Sequence, residues 1–284
     1  MRDKGIAILG LGTIGMALAA GILRASLVPK ERLAGTTAHP ETAREVQERL
    51  GITVTTDNRA LAREADLLIL AVKPKTVPKV LLETRDVVSP RQVLISVAAA
   101  TPTSLIEEVL DRPIPVVRAM PNIPSQIGQG MTGICAGRYA KAEHLELAKA
   151  IFGTVGRVAL IEEEELMDAV TALSGSGPAY ACLIIEALSE GGVKMGLPRK
   201  LATELAAQAL LGGAALVLAS GEHPALLKDE VTTPAGVTID GLMALEAGGL
   251  RVALIKAVMA ATARGKALGR VLSSRAMSRE PPWT

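Results

Sequence analysis

A glycine-rich turn near the amino terminus constrains the fold of this 284-residue chain more than any other stretch. Residues 5–9 form a short apolar run, Gly10-Leu11-Gly12-Thr13-Ile14-Gly15 follows, and residues 13–25 have helical periodicity. In such a unit the first glycine permits the tight turn, the second lets the backbone approach a pyrophosphate, and the third lets the helix pack on the strand. The helix N-terminus then offers unpaired amides to the anion. A structural glycine turn is the alternative, but the flanking strand and helix favour a dinucleotide-binding Rossmann unit with residues 10–15 as cofactor contacts.

Short apolar runs alternate with helical patterns through the first half of the chain. After residues 5–9, strands are predicted at 32–36, 52–55, 66–72, 92–97 and 116–120. Strands separated by helices imply a parallel, doubly wound sheet. Two further runs, at 130–137 and 155–161, are candidates for edge strands, with a helix at 142–152 between them.

The strand pattern stops at about residue 162. Helices are predicted at 163–173, 178–195, 198–220, 234–247 and 250–268, and prolines lie near the start of three of them, where the missing amide donor costs nothing. Many of these helices are apolar all round, so their surfaces must be buried, in part against another subunit. We therefore predict an α/β protein. A Rossmann domain occupies residues 1–161, an all-helical dimerisation domain residues 162–272, and a disordered tail residues 273–284.

Composition argues against several classes of partner. The chain has 31 Lys and Arg against 29 Asp and Glu, without a basic stripe, so neither nucleic acid nor an anionic membrane surface is expected. One Phe, one Trp and two Tyr are too few to build stacking platforms for single-stranded nucleic acid.

The apolar runs and the cysteines bear on location. The longest apolar run, at 205–219, is shorter than the roughly 20 residues needed to span a bilayer, and the amino terminus lacks the pattern of a signal peptide. Cys135 and Cys182 lie in no paired motif, which favours two buried thiols in a reducing compartment. We expect a cytoplasmic protein with no membrane partner.

The end of the second predicted strand bears on the choice of cofactor. NAD sites usually carry an Asp or Glu there for the ribose hydroxyls, whereas residues 35–39 of this chain contain no acid. An acid would repel a 2′-phosphate and hydroxyls can donate to one, so NADP is favoured over NAD, with Thr36 and Thr37 as contacts. His39 and Arg44 are further candidates, although a solvated loop residue is an equal reading of His39.

Three later strands end in segments that face the same crevice, since ligands in open α/β sheets lie beyond the carboxyl ends of the strands. Ala71-Val72-Lys73-Pro74 follows the strongly apolar strand at 66–72, where it either lines the cofactor groove or simply ends the strand. Val97-Ala98-Ala99 ends the next strand, and its small residues leave room for a cofactor. Met120-Pro121-Asn122 ends the strand after that.

Two motifs stand out in the helical half. Residues 174–180, Ser-Gly-Ser-Gly-Pro-Ala-Tyr, form a small-residue turn whose amides are able to hold a carboxylate, with a plain interhelix turn as the alternative. Residues 228–238, Lys-Asp-Glu-Val-Thr-Thr-Pro-Ala-Gly-Val-Thr, are predicted to open a helix at 234–238 and to present its amides and the Thr238 hydroxyl to a polar or anionic ligand.

The sequence offers no clear side-chain base and no metal site for catalysis. None of the three histidines has a catalytic sequence context, and no metal-ligand or Ser-His-Asp pattern occurs. A substrate already activated for hydride addition, such as an imine, suits such a site.

These motifs resemble the signatures of pyrroline-5-carboxylate reductase. The resemblance covers about residues 4–268 and rests on 175–180 and 228–238, with support from 71–74, 120–122 and 191–198. It implies the NAD(P)H-dependent reduction of 1-pyrroline-5-carboxylate to L-proline, the last step of proline synthesis. It also implies a homodimer whose helical domains interlock, which can assemble further, with the substrate at the dimer interface.

The resemblance also implies roles for single residues. Thr238 would hydrogen-bond the ring nitrogen and assist its protonation while the nicotinamide delivers hydride to the imine carbon. The expected substrate contacts are Ser176, Glu230, Thr233, Val237 and Thr238. Beyond the glycine loop, the expected contacts of NADPH, with NADH as a second possibility, are Thr36, Thr37, Asn58, Ala71, Val72, Lys73, Pro74, Val97, Ala98, Ala99 and Glu164. The chain departs from the family pattern in carrying Ala38 and His39 where an Arg is frequent, Glu230 where an amide is common, and Ala235 where glycine is frequent.

Two other readings fit part of the sequence. A dehydrogenase of the β-hydroxyacid or 6-phosphogluconate type also joins a Rossmann domain to helices, and it would use a lysine such as Lys194. A non-catalytic NADP-sensing protein would keep the glycine loop but would need neither motif of the helical half.

Overall fold

All eight predicted strands are present in the computed structural model, which describes residues 1–277 apart from the side chains of residues 273 and 275–277. They are β1 (Ile6–Leu9), β2 (Leu33–Thr36), β3 (Thr53–Thr55), β4 (Leu67–Leu70), β5 (Val93–Ser96), β6 (Val116–Met120), β7 (Gly130–Ala136) and β8 (Gly156–Leu160). They form one sheet in the order β3-β2-β1-β4-β5-β6-β7-β8. The order reverses direction beside β1, as a doubly wound Rossmann sheet requires.

The sheet is mostly, not wholly, parallel. Neighbours from β3 to β6 are parallel, but β7 pairs antiparallel with β6, and β8 is parallel to β7. A parallel return needs a crossover of a dozen or more residues, and only a short link with a 3-10 turn at Ile123–Ile127 joins β6 to β7. The prediction of a parallel sheet is therefore corrected at this edge.

Helices cover both faces of the sheet. They are α1 (Thr13–Arg24), α2 (Pro40–Leu50), α3 (Asn58–Glu64), α4 (Val77–Thr84), α5 (Thr103–Leu110) and α6 (Ala142–Phe152). Successive residues of β1 alternate between two buried clusters: Ile6 and Ile8 pack with α1, α2 and α6, whereas Ala7 and Leu9 pack with α3, α4 and α5. A strand buried on both faces must be apolar at every position, which is why these strands read as continuous apolar runs.

The rest of the chain is helical. It contains α7 (Met167–Val170), α8 (Gly177–Lys194), α9 (Arg199–Ser220), α10 (Pro224–Glu230), α11 (Val237–Ala247) and α12 (Leu250–Met277). Two compact units result among the described residues, one comprising Met1–Gly175 and Ala261–Met277, the other comprising Ser176–Ala260. The first unit extends past the expected boundary at residue 161, because ion pairs from β6 to Glu164 and Asp168 hold the following segment to the sheet.

Local structure in the helical half differs from prediction in four places. The helix expected at 163–173 is a 3-10 turn at Glu164–Leu166, then α7, then a π-helical turn at Thr171–Gly175. Helix α10 was not predicted, and α11 begins at Val237 because the preceding residues form a tight turn. Helix α12 runs to Met277, into the segment expected to be disordered, and residues 278–284 lie outside the described part.

Helix α9 leaves most of its apolar surface uncovered within one chain. It has 22 residues and is long and apolar enough to cross a membrane, so the expectation from the 205–219 run was wrong on length; only 6% of its apolar window is buried. Large apolar side chains exposed in the same unit include Leu183, Leu188, Leu205, Leu211, Leu216, Leu218, Met243, Val252 and Met259. Monomeric soluble proteins rarely expose so much apolar surface, which marks this unit as an interaction surface.

Candidate functional site

The glycine loop (residues 10–15) has the shape that a dinucleotide pyrophosphate needs. Gly10 has φ +104°, and a Cβ there would lie 2.8 Å from Cγ1 of Val72, whereas a Cβ on Gly15 would overlap the carbonyl oxygen of Gly10. At Gly12, by contrast, no heavy atom of the described chain lies within 4 Å of a Cβ position. Among the described residues no side chain caps α1, so its first-turn amides are open to an anion. The loop therefore has room for a dinucleotide: Gly10 and Gly15 permit the turn and the helix packing as predicted, and the approach of Gly12 to a pyrophosphate stays a prediction.

Thr36 at the end of β2 supports the glycine loop through two hydrogen bonds, and Thr37 follows it. The Thr36 hydroxyl accepts the Gly10 N–H at 3.0 Å, and the Thr36 carbonyl accepts the Leu11 N–H at 2.7 Å. The Thr37 hydroxyl donates to the His39 carbonyl at 3.0 Å. Both threonines are buried, and the Thr36 hydroxyl acts only as an acceptor toward Gly10, so contact of either hydroxyl with a 2′-phosphate stays a prediction.

Other groups at this strand end remain open to solvent. Ala38 and His39 are exposed, His39 is the residue before α2, and Arg44 is exposed one turn into that helix. These positions are accessible at the end of β2, and their contact with a cofactor stays a prediction.

The end of β4 lies beside the glycine loop, and the end of β5 lies beside the end of β4. Ala71 donates its N–H to the Leu9 carbonyl at 2.8 Å, and Ala71 and Val72 together leave no space for a side chain at Gly10. Val97 donates to the Leu70 carbonyl at 3.1 Å, which continues the strand pairing toward the predicted contact segment 97–99. Lys73 is exposed and precedes a 3-10 turn at Pro74–Thr76.

Two members of the predicted cofactor set have additional structural partners. Ala98 is buried in the core on one face of the sheet, so it contributes backbone and not side chain to any groove. Asn58 begins α3, and its Nδ2 donates to Oε2 of Glu83 at 3.0 Å. Cofactor contact by Asn58 stays a prediction.

A buried ion cluster that the sequence reading missed lies at the ends of β5 and β6. Arg118 on β6 is 5% exposed, and it pairs through Nη1 with Oε1 of Glu164 at 3.2 Å and through Nη2 with Oδ1 of Asp168 at 3.3 Å. Glu164 also accepts the Thr103 N–H at 2.8 Å and the Thr103 hydroxyl at 2.5 Å. An arginine inside an otherwise apolar strand is the signal that would have revealed the cluster, because a buried charge needs partners.

Glu164 keeps capacity for the cofactor contact predicted for it. Its carboxylate offers about four acceptor positions, and three are used by Thr103 and Arg118. The side chain is 24% exposed, so the fourth position on Oε2 is accessible.

Cys135, opposite Arg118 on β7, is a buried and unreactive thiol. Burial raises its pKa to about 12, and the Glu164 carboxylate adds to the effect. Cys182 on α8 is exposed, contrary to the expectation of two buried thiols.

A thiol titration checks this assignment. In a Cys182→Ser variant we expect no reaction with an aromatic disulfide reagent at pH 8 in the native state, because the Cys135 thiol stays protonated below a pKa of about 12, and full reaction after unfolding. Rapid labelling of the native Cys182→Ser protein would contradict the assignment.

The small-residue turn before α8 is docked on the end of β6. Asn122 donates from Nδ2 to the Ser174 carbonyl at 3.1 Å, and its Oδ1 accepts the Met131 N–H at 2.9 Å. A Cβ on Gly175 would lie 2.8 Å from Cε of Met120, so this glycine lies against the end of the Met120 side chain. The turn is π-helical, a distortion that occurs frequently at functional sites. Ser176, the predicted substrate contact, directly precedes α8 and is partly exposed.

The second motif of the helical half forms a tight turn that opens α11. Gly236 donates its N–H to the Thr233 carbonyl at 3.0 Å, and Ala235 has φ +60°. This is the pattern of a type II turn, which needs a left-handed residue at its third position, and alanine occupies the place where glycine is favoured. A Cβ on Gly236 would overlap the Thr233 hydroxyl. The turn therefore leads abruptly into the helix at Val237.

The first turn of α11 is open. Within residues 1–277 no side chain caps this N-terminus, Val237 is 89% exposed, and Thr238 is partly exposed at the second helical position. Unpaired amides beside a hydroxyl suit a ligand that combines a carboxylate with a polar ring atom. Glu230, the last residue of α10, is also exposed, and its predicted substrate contact stays a prediction.

His144 and His223 act as helix caps. Nδ1 of His144 accepts the Lys141 N–H at 2.8 Å, and Nδ1 of His223 accepts the Ala225 N–H at 3.2 Å. Over the described residues, no group of three or more His, Cys, Asp or Glu side chains is arranged to hold a metal ion.

Family models match both parts of the chain. A model described as pyrroline-5-carboxylate reductase dimerisation matches residues 164–268, and one described as NADP oxidoreductase, coenzyme F420-dependent, matches residues 5–100. Together they span the glycine loop, the strand ends to Ala100 and both motifs of the helical half.

Named relatives are similar over almost their whole length. A pyrroline-5-carboxylate reductase of Methanosarcina acetivorans is 43% identical over 95% of this chain and 100% of its own, and one of Corynebacterium melassecola is 41% identical over 93% and 98%. The solved structure of a pyrroline-5-carboxylate reductase from Coxiella burnetii superposes with a TM-score of 0.89 at 35% identity, covering 94% of this chain and 99% of its own. The Plasmodium falciparum pyrroline carboxylate reductase, solved with NADP bound, gives a TM-score of 0.85 at 32% identity, covering 95% and 99%.

The resemblance noted in the sequence is thus confirmed over both compact units. With 43% identity across the full length of a relative, and with the glycine loop and the turn before Thr238 formed as the signatures require, the chain belongs to the pyrroline-5-carboxylate reductase family.

Proposed function

We propose that the protein reduces 1-pyrroline-5-carboxylate to L-proline at the expense of NAD(P)H, the last step of proline biosynthesis. The observation that carries the proposal is that the helix starts at two of the signature motifs both lack a side-chain cap and differ in character. The start of α1 follows a glycine loop with open space over Gly12, and the start of α11 adds a hydroxyl to its free amides. The first suits a pyrophosphate, and the second suits a small substrate with a carboxylate and a ring nitrogen.

The residues of α11 and its leading turn supply orientation and polarisation. Amides of the 233–238 segment hold the substrate carboxylate, and the Thr238 hydroxyl hydrogen-bonds the ring nitrogen. When bound, the reduced nicotinamide supplies the hydride that the imine carbon accepts. A hydrogen bond at the nitrogen favours its protonation, and a protonated imine has a more electrophilic carbon, so a fixed geometry and a polar group provide the catalytic effect.

We further propose NADPH as the preferred reductant, with NADH accepted. The end of β2 carries no carboxylate to bind the ribose diol or repel a 2′-phosphate, and the exposed residues there are neutral or basic as far as His39. The ratio of kcat/KM for NADPH to that for NADH measures the preference directly.

The assembled form is proposed to be a cytoplasmic homodimer built through the helical unit, able to associate further, without a membrane or nucleic-acid partner. The exposed leucines of α8 and α9, together with the match of residues 164–268 to a dimerisation model, support a second copy as their cover. A second copy also accounts for the length and apolar character of α9 without a bilayer.

A direct assay tests the proposal. Addition of 1-pyrroline-5-carboxylate to enzyme and NADPH is expected to oxidise the NADPH and yield L-proline. No oxidation across a range of pH would remove the proposal. Hydroxy acids with NADP⁺ serve as the test of the dehydrogenase alternative, which the exposed position of Lys194 at the end of α8 disfavours.

Thr238→Ala is expected to lower kcat by about 100-fold or more while leaving the Kd for NADPH unchanged, because it removes the group that polarises the imine nitrogen and nothing at the glycine loop. Thr238→Ser, which keeps the hydroxyl, is the matched control and should retain most of the activity. Steady-state kinetics and a fluorescence titration of NADPH give the two quantities. An unchanged kcat in Thr238→Ala would show that the hydroxyl has no such role.

A further inference from the structure

We propose that Arg118 is a positioning residue for the nucleotide: through Glu164 it holds the segment after β5 (residues 97–102, here the β5 turn) in its binding shape. The inference rests on the proposed function in one respect, that the β5 turn contacts a nicotinamide dinucleotide. It adds a residue that no sequence motif indicates and that lies on a strand, away from the turn itself.

The first step is the bond between Glu164 and the end of the β5 turn. Both oxygens of Glu164 bind Thr103, the first residue of α5, one through the backbone N–H at 2.8 Å and one through the hydroxyl at 2.5 Å. Thr103 is buried and directly follows the turn, so this pair of bonds fixes where the turn ends. Its beginning is fixed by β5, where Val97 donates to the Leu70 carbonyl.

The second step is that the β5 turn needs to be held. Ala100 has φ +53°, a left-handed conformation that is unfavourable for any residue with a Cβ. Such conformations persist where the surroundings over-determine them, and they cluster at ligand-binding segments. Within the turn itself the Thr101 hydroxyl donates to the Ala99 carbonyl at 3.1 Å, which is a local bond and fixes neither end.

The third step is the dependence of Glu164 on Arg118. The guanidinium is 5% exposed, and each of its terminal nitrogens binds one carboxylate, Glu164 or Asp168. Glu107 and the buried Cys135 are further neighbours of Glu164, and neither brings a positive charge. Without Arg118, two carboxylates would be left close together and poorly compensated, and Glu164 would turn outward or take up a proton. Either change weakens its bonds to the Thr103 donors.

The consequence reaches the nucleotide by two routes. Loss of the Thr103 bonds loosens the β5 turn, and a displaced Glu164 no longer presents the acceptor position left on Oε2. Both routes run through Glu164, and this distinguishes the proposal from a general contribution of Arg118 to stability.

A double-mutant cycle on NADP⁺ binding, measured by calorimetry without turnover, tests the proposal. Arg118→Met and Glu164→Gln are each expected to weaken NADP⁺ binding by about tenfold. The double variant is expected to lose no more affinity than the more affected of the two single variants. Arg118→Lys, which keeps the charge but not the two-armed geometry, should fall between Arg118→Met and the unmodified protein. Lys149→Met is the control, since it breaks an exposed ion pair with Glu146 on α6 in the same compact unit, and it should bind NADP⁺ normally.

Unfolding midpoints of all variants are measured in parallel, and Arg118→Lys carries the test should Arg118→Met fail to fold. Unchanged NADP⁺ affinity in folded Arg118 variants would overturn the proposal, as would effects of Arg118 and Glu164 that simply add. A protein that binds NADP⁺ but does not reduce 1-pyrroline-5-carboxylate would refute the proposed function, and the cycle would still decide the role of Arg118.

Discussion

Gly12→Ala is expected to weaken NADPH binding by about 100-fold or more without loss of stability, whereas Gly15→Ala should impair both. A methyl group at Gly12 projects into open space in the described chain and meets only the ligand. At Gly15 it overlaps the Gly10 carbonyl, so α1 must shift away from the loop, which we expect to cost about 1–3 kcal/mol as overpacking does. The backbone at Gly12, with φ −83°, accepts alanine without strain.

NADPH titrations and chemical unfolding of the two variants separate these effects. The informative comparison is within the pair, because each variant adds the same methyl group three residues apart on one loop. Normal NADPH affinity in Gly12→Ala would mean that no pyrophosphate approaches the backbone there, and the fit of the loop to a dinucleotide would be lost.

Leu211→Glu on α9 is expected to convert the proposed dimer to monomers and to abolish activity with it. Leu211 is 61% exposed in the single chain, and if a second copy covers it, a glutamate there becomes a buried charge without a partner. An uncompensated buried charge costs about 3–5 kcal/mol, which lowers the dimer affinity by 100-fold or more. Light scattering coupled to size-exclusion chromatography gives the mass of each form.

Leu82→Glu is the matched control for that experiment. Leu82 lies on α4 of the other compact unit and is 51% exposed, so it makes the same chemical change on a surface with no predicted interface. We expect Leu82→Glu to stay dimeric and active. A Leu211→Glu protein with the mass of the unmodified protein would place the interface elsewhere.

The sheet was predictable because its signal is local. Strands such as β4, buried on both faces, must be apolar at every position. The fixed spacing of the glycine loop in turn predicts a strand before it and a helix after it. The direction of β7 was not predictable from its composition, because it depends on the length of the link from β6. The segment at 163–175 has helical periodicity, but periodicity alone does not separate α-helix from the 3-10 and π turns that form there.

The candidate site was predictable where its residues are adjacent in the sequence. The Thr238 turn consists of adjacent residues, so it was recognised in the sequence, and its role stays a prediction. The Arg118 cluster joins residues 46 and 50 positions apart, so only the fold brings them together. Thr36 illustrates the same limit. The sequence shows its hydroxyl, but only the fold shows that this hydroxyl accepts the Gly10 N–H.

The hydrogen bond from Gly10 to Thr36 has a consequence for how cofactor preference can change in this chain. Residue 36 supports the glycine loop from a buried position, so an acid placed there to select NADH would also disturb the phosphate site. Ala38 and His39, both exposed, carry no such duty. We therefore expect substitutions at those two positions to change the preference for NADPH or NADH while leaving the glycine loop intact, so that the two properties can evolve independently.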